Sequence, residues 1–428
     1  MLTTYMSMDK LRIGIIVDHN AVPTEGGGYT YYQTLLHTIN HYDFYPEIEI
    51  INIVFSKKAK ESLPNLKQTI LIKKDFAPAV MYTAFDVLYR VWYRTVRKAY
   101  VSLGDSIMNV MDGIRNKCII NVLKKENIDM VYYLRPVSNI IDYPAIITHW
   151  DVGHKSMYPF PEVADKANFK KRETYYISMV NKAFLILCES QAGIEELLNY
   201  YPINPEKVKM LPLFSGEVVK QEVSETEQQA ILSQIGLVKG SFFLYPAQFW
   251  AHKNHYNLVK AFFALTREPG GEQLKLVLCG SDKGNLRYIK KLVESLGLTS
   301  RVLFPGFISY KALYSLYKNA VAMIMPTFLG PTNIPLIEAA KLGCPVLCTA
   351  LKGHKEIMGN AALYFNPSEV ESIKAAMQQV LQEQCRQELV AAGYERMRVS
   401  FFDVEKSVGF LQKLLLQIKP IRKAWGIE

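Results

Sequence analysis

Two charged side chains and a loop of turn-forming residues hold most of the chemistry this sequence offers. From 325 to 347 the chain reads Met-Pro-Thr-Phe-Leu-Gly-Pro-Thr-Asn-Ile-Pro-Leu-Ile-Glu-Ala-Ala-Lys-Leu-Gly-Cys-Pro-Val-Leu. That is an apolar strand end, a turn-rich loop, a short helix, a Gly-Cys-Pro stop and a second apolar strand. Pro335 suits the first helical turn, where its missing N–H costs nothing, and Asn333 is of the type that caps such an end. The loop therefore offers free backbone amides around Thr332, Asn333 and Ile334 at a positive helix terminus, a site for a phosphate or a carboxylate. Glu338, one turn further in, can reach a ribose diol. Lys253, in Pro246-Ala-Gln-Phe-Trp-Ala-His-Lys-Asn, heads another helix and opposes its dipole, a conflict that a bound diphosphate would remove.

Other candidates are weaker. His252 and His255 have metal-ligand types, but nothing supplies a third ligand, so both are expected to be solvated or to pack locally. His149 ends an apolar strand, and in open α/β sheets such a position faces the ligand cleft. Asp151 and His154 follow it closely. Gly26-Gly27-Gly28 opens a helix after the first strand, although glycine also serves any tight turn.

The elements that must position these residues alternate between apolar strands and helical patterns. Strands are expected over 11–17, 48–55, 69–72, 129–134, 145–150, 183–188 and 208–214, with helices over 169–181 and 191–200 among the segments between them. That alternation predicts a doubly wound α/β unit. A polar stretch, 218–240, reads as a link. A second unit has strands from 242 and over 274–279, 301–304, 321–325, 345–348 and 362–365. From 385 the chain reads as helix. The expected domains are 1–215, 216–400 and a terminal helix over 401–428.

The 428 residues allow two domains, and 49% hydrophobic with 21% charged residues is a globular composition. No apolar run approaches the ~20 residues that span a bilayer, and the N-terminus lacks signal-peptide order, so the reading is cytoplasmic. The 6 cysteines suggest neither disulfides nor zinc. A formal charge of +10 calls for an anionic partner. Nucleic acid is disfavoured, for the chain has no finger spacing, RNP-like strand or basic tail.

The stretch 325–347 resembles the donor-binding signature of retaining GT-B glycosyltransferases related to glycogen and sucrose synthases, P-S-x-x-E-G-F-G-L-P-x-x-E-A. Pro335 and Glu338 match it, and Gly343-Cys-Pro-Val matches the family's G-x-P-V. The family's first glutamate falls at Gly330, so the Glu-x7-Glu motif is degenerate and the donor sugar's identity is left open. Pro246 to Asn254 is similar to G-R-x-x-x-x-K-N, with Lys253 in place and Gln248 standing where an arginine is usual. Phe307 and Ile308 resemble the strand and loop beside the nucleotide base. The family has a Gly-Gly turn near the donor phosphates, matched by Gly27 and Gly28, and a His-Asp whose histidine reaches the donor sugar, matched by His149.

The resemblance implies two Rossmann-like domains facing across a cleft, with the last helix crossing back onto the first. It implies sugar transfer with retention from a nucleotide-diphosphate donor to a glycan or lipid-linked glycan, as in surface polysaccharide synthesis. No cofactor and no metal are expected. Lys253, Glu338 and His149 are the expected catalytic set. An epimerase, or a sugar-nucleotide-binding subunit without turnover, remains an alternative on the same fold. Read as a helix, 88–100 puts Tyr89, Trp92, Tyr93, Val96 and Tyr100 on one face and Arg90, Arg94 and Arg97 on another. An ordinary core helix has that pattern, and so does one lying on an anionic membrane.

Overall fold

The computed structural model describes residues 10–19, 21–55, 66–72, 113, 116–136, 141–399 and 402–426. The helix expected over 88–100 lies outside them.

Apolar runs buried on both faces form two parallel sheets. The first contains β1 (Leu11–Ile16), β2 (Ile48–Val54), β3 (Thr69–Leu71), β4 (Met130–Tyr133), β5 (Ala145–His149), β6 (Leu185–Cys188) and β7 (Val208–Met210). Their order is β3-β2-β1-β4-β5-β6-β7. Leu11, Ile13 and Ile15 of β1 are wholly buried, which is why this strand reads as continuous hydrophobicity rather than alternation. The second sheet contains β8 (Phe242–Pro246), β9 (Lys275–Cys279), β10 (Val302–Gly306), β11 (Ala322–Met325), β12 (Val346–Thr349) and β13 (Leu363–Phe365). Its order is β10-β9-β8-β11-β12-β13.

Both orders reverse beside the first strand of the sheet, and there the loops diverge and open a crevice. In the first domain β1 leads into the glycine loop and helix α1 (Gly27–His41), and β6 leads into α2 (Gln191–Tyr200). In the second, β8 leads through Lys253 into α3 (His255–Leu265), and β11 leads through the 326–333 loop into α4 (Ile334–Lys341). The two crevices face one another.

The long helix α5 (Val404–Arg422) packs on the first domain. Ser407 donates to Pro212 O (2.8 Å), Gln412 accepts from Tyr45 N (2.8 Å) and the buried Arg422 donates to Asp129 O (2.7 Å).

Two local expectations are corrected. The polar stretch 218–240 is not a bare link, because it folds into the helix Glu225–Ile235, capped by Ser224 on Glu227 N. That helix joins the second domain through Asn319, which donates to Gln228 at 2.9 Å. The helix expected over 169–181 is α-helical only over Lys166–Thr174, then widens to a π turn at Tyr175–Met179 and tightens at Val180–Lys182. The widened turn carries Tyr176 to the end of β5, where its hydroxyl meets His149 Nδ1 at 3.0 Å and donates to Asp151 O at 2.7 Å. Among helices of the described residues, none is long and apolar enough to cross a membrane.

Candidate active site

A cavity of about 540 Å³ lies between the facing crevices. Of the residues matched to the donor-binding motifs in the sequence, all except His149 line it, while the weaker candidates His154 and His255 do not. Gly27 and Gly28 belong to the first domain, and Gln248, Lys253, Phe307, Ile308, Gly330, Thr332, Asn333, Ile334 and Glu338 to the second.

Lys253 is the pivot. It follows β8 in a tight turn closed by Asn254, which takes the left-handed conformation (φ 58°) and donates to Pro326 O at 3.0 Å and Pro367 O at 2.8 Å. Lys253 Nζ donates to Asn333 Oδ1 at 2.9 Å. Asn333 in turn donates to His354 Nε2 (2.9 Å), whose Nδ1 is 3.0 Å from Thr349 O. His354 is therefore neutral, with burial holding its pKa down at about 4. Among the described residues no carboxylate lies within ion-pair reach of Lys253. Burial lowers its pKa to about 8, with Asp151 and Glu162 pulling the other way. A half-buried cation whose hydrogen-bond partner is a neutral amide is unsatisfied until an anion arrives.

This network overturns one expectation. Asn333 occupies the cap position of α4, yet no side chain caps that end. Its amide is drawn to Lys253 and His354 instead, which leaves the helix terminus facing the cavity without a side-chain cap. The start of α1 across the cleft also has no side-chain cap.

Glu338 is buried on α4. Tyr317 Oη donates to its Oε2 at 3.1 Å. Burial pushes its pKa up to about 7, against the Tyr317 hydroxyl and the Gly216 amide. A Cβ at Gly216 would fall 2.8 Å from Glu338 Oε1 and 2.3 Å from Thr30 Cγ2, so a side chain here would have to displace both. Gly330 has φ +110°, a conformation that a glutamate side chain would strain.

His149 is placed differently from the expectation for a strand-end residue. It is buried, its Nδ1 lies against Tyr176, and it does not line the cavity. Burial lowers its pKa to about 4. Two residues on, Asp151 faces the cavity, held by Arg172 and by Gly153 N (2.8 Å).

The two histidines near Lys253 both pack rather than face solvent. His252 is not solvated: its backbone N–H donates to Glu162 Oε1 of the first domain at 2.9 Å, and its ring meets the same oxygen. His255 is fully buried and stacks on Phe249 at 4.4 Å. Gln248, in the arginine's place, donates to Thr24 O across the cleft and accepts from Trp250 Nε1 at 3.0 Å. It carries no charge to a ligand. Among the described residues no group of three His, Cys, Asp or Glu side chains could hold a metal.

Sequence reasoning missed Glu189, which follows the end of β6 and lines the cavity. Thr332 Oγ1 of the opposite domain donates to it. The strand-end rule that picked out His149 applies equally to Glu189.

Residues 228–396 match the family described as glycosyl transferases group 1. Comparison with known proteins supports that family for this chain. O-antigen chain mannosyltransferase B of Escherichia coli is 24% identical over 58% of this chain and 64% of its own length. Mannosylfructose-phosphate synthase of Agrobacterium fabrum is 23% identical over 51% of this chain and 50% of its own. The chain thus spans about half to two-thirds of these relatives. Among solved structures, sucrose-phosphate synthase of Thermosynechococcus elongatus superposes with a TM-score of 0.67 at 17% identity, covering 96% of this chain and all of that one. Anabaena HepE, solved with UDP and glucose, gives 0.66 at 15% identity over 95% of this chain and all of its own. The fold is GT-B.

Proposed function

We propose that this protein is a retaining glycosyltransferase that moves a sugar, mannose by the names of its relatives, from a nucleoside-diphosphate donor to a glycan acceptor. The observation that carries the reading is Lys253, a half-buried ammonium without an anionic partner among the described residues, facing the cavity beside a helix start that no side chain caps. In the reaction the bond from the anomeric carbon to the diphosphate oxygen breaks and one to the acceptor oxygen forms. Negative charge grows on the departing diphosphate, where Lys253 and the amides of α4 neutralise it. Groups already fixed in place do this at no reorganisation cost. The acceptor's proton passes to a diphosphate oxygen on the same face, which gives retention. Glu338 receives the ribose diol, and Phe307 and Ile308 flank the base. No metal ion takes part, because Lys253 and the helix terminus supply the positive charge. His149 serves from behind the cavity wall, through Tyr176 and Asp151.

Two of the similar curated proteins are O-antigen chain mannosyltransferases by name and three are serotype-specific mannosyltransferases, so the acceptor in this reading is a surface glycan under assembly, carried on a lipid. The protein works at the cytoplasmic face of the membrane, its net charge of +10 favouring anionic lipid, with residues 75–115 as the contact. Sedimentation with anionic vesicles that weakens in salt tests that part. The central test is transfer itself. Donor sugars are screened with a lipid-linked glycan in chelator, and the product's anomeric configuration is read by NMR. Retention in chelator supports the reading. An inverted product, or activity that only manganese restores, overturns the mechanism.

A further inference from the structure

We propose that Glu189 of the first domain is the carboxylate that receives hydroxyls of the donor's sugar, so that the sugar subsite is shared between the two domains. This rests on the cavity being the nucleotide-sugar site.

The acids lining the cavity differ in what holds them. Glu25 pairs with Arg135 and Asp151 with Arg172, and Glu162 takes the backbone N–H and the ring of His252. Glu338 is engaged by Tyr317 and the Gly216 amide. Glu189 has one hydrogen-bond partner among the described residues, the Thr332 hydroxyl on one oxygen. Its backbone is fixed by the bond from Leu213 N to Glu189 O (3.3 Å), and the side chain is half-buried at the cavity wall. Desolvation has been paid in part without a cation to offset it.

The facing loop leaves this part of the cavity to Glu189. Gly330 has no side chain, Pro331 has no polar one, and Thr332 is committed to Glu189. Asn333 is committed to Lys253 and His354. A carboxylate here repels phosphate and accepts hydroxyls, in charge-assisted bonds stronger than neutral ones. The cavity therefore has a cationic group, Lys253, and a hydroxyl acceptor held by one hydroxyl and no cation, Glu189. That polarity fits a ligand with an anionic part and a polyol part. Since Lys253 and Glu189 come from opposite domains, the polyol is gripped only when the domains face each other as they do here.

The test compares two ligand types on Glu189→Gln and Glu189→Ala, after thermal unfolding has shown both folded. UDP and GDP are titrated by calorimetry, then UDP-glucose, UDP-N-acetylglucosamine and GDP-mannose. Expected is a nucleoside-diphosphate Kd within twofold of wild type and a Kd for the preferred sugar nucleotide at least tenfold weaker, more so in Ala than in Gln. Thr332→Val serves if the Glu189 variants fail to fold. It removes the hydroxyl that holds the carboxylate, and should weaken the sugar nucleotide about threefold while sparing the diphosphate. Equal weakening of both ligand types, or of neither, overturns the proposal. Wild type binding no nucleoside diphosphate overturns the reading of the cavity and this proposal with it.

Discussion

The two walls of the cavity use charge in opposite ways. On the second-domain wall, Lys253 carries a positive charge whose hydrogen-bond partner is a neutral amide, Asn333. On the first-domain wall most charges are neutralised in place, with Asp151 against Arg172 and Glu25 against Arg135, while Glu162 is hydrogen-bonded by His252. A paired charge is architecture, and removing one partner strands the other. An unpaired charge costs stability in the empty protein and returns it when a ligand supplies the counter-charge. Glu189 is the exception on the first-domain wall, which is why it reads as a ligand group.

The largest expected effect breaks this contrast outright. Lys253→Ala should reduce transfer by about 10²–10³-fold, the usual cost of losing one preorganised group that stabilises developing charge. The same change should leave the unliganded protein as stable as before or more so, because a partly desolvated cation with no anionic partner has gone. Arg172→Ala should do the reverse in calorimetric unfolding, costing about 2 kcal/mol, at the low end for a partly exposed pair. A destabilised Lys253→Ala, or a neutral Arg172→Ala, would erase the distinction between the walls.

Glu338→Gln comes next. Losing a charge-assisted bond of about 1.5–3 kcal/mol should weaken nucleoside-diphosphate binding roughly 10–100-fold, measured by calorimetry. The change also sharpens the stability profile. Burial raises the Glu338 pKa to about 7, so between about pH 4.5 and 7 the folded state holds a proton that the unfolded state has lost. Its contribution is full below that window and disappears as pH rises through it. Glu338→Gln should remove its share of this slope from melting curves, and Glu189→Gln its own, since burial raises Glu189 to about 7 as well.

A smaller effect follows from the lowered pKa of Lys253, about 8. Diphosphate binds the ammonium form, so wild-type affinity should fall by up to about tenfold per pH unit above 8. Affinity in Lys253→Ala should lack that fall. The smallest effect belongs to Gln248→Ala, which removes a bond to Thr24 that ties the walls together and a local one from Trp250. Each is worth about 0.5–1.5 kcal/mol. The donor's KM should rise by less than about tenfold, and a larger loss would mean that Gln248 touches the ligand itself.

What the sequence determined by itself is whatever lies within one strand, one turn and one helix start. The apolar runs of β1, β8 and β11 announce buried parallel strands, and the residues just beyond them sit in the crevice because strand order reverses there. That is enough to bring Lys253, Gly330, Thr332 and Glu338 to a common cavity. Tertiary structure decided which polar partner each side chain takes. Asn333 has the residue type and position of a cap, but Lys253 lies 80 residues away in the chain and beside it in space. Glu189 meets Thr332 across 143 residues, and Gln248 meets Thr24 across 224. His149 obeys the strand-end rule and still sits behind the wall, because the π turn brings Tyr176 over it. A hydrogen bond depends on tenths of an ångström in the packing of two sheets, whereas the periodicity that builds those sheets is written locally along the chain.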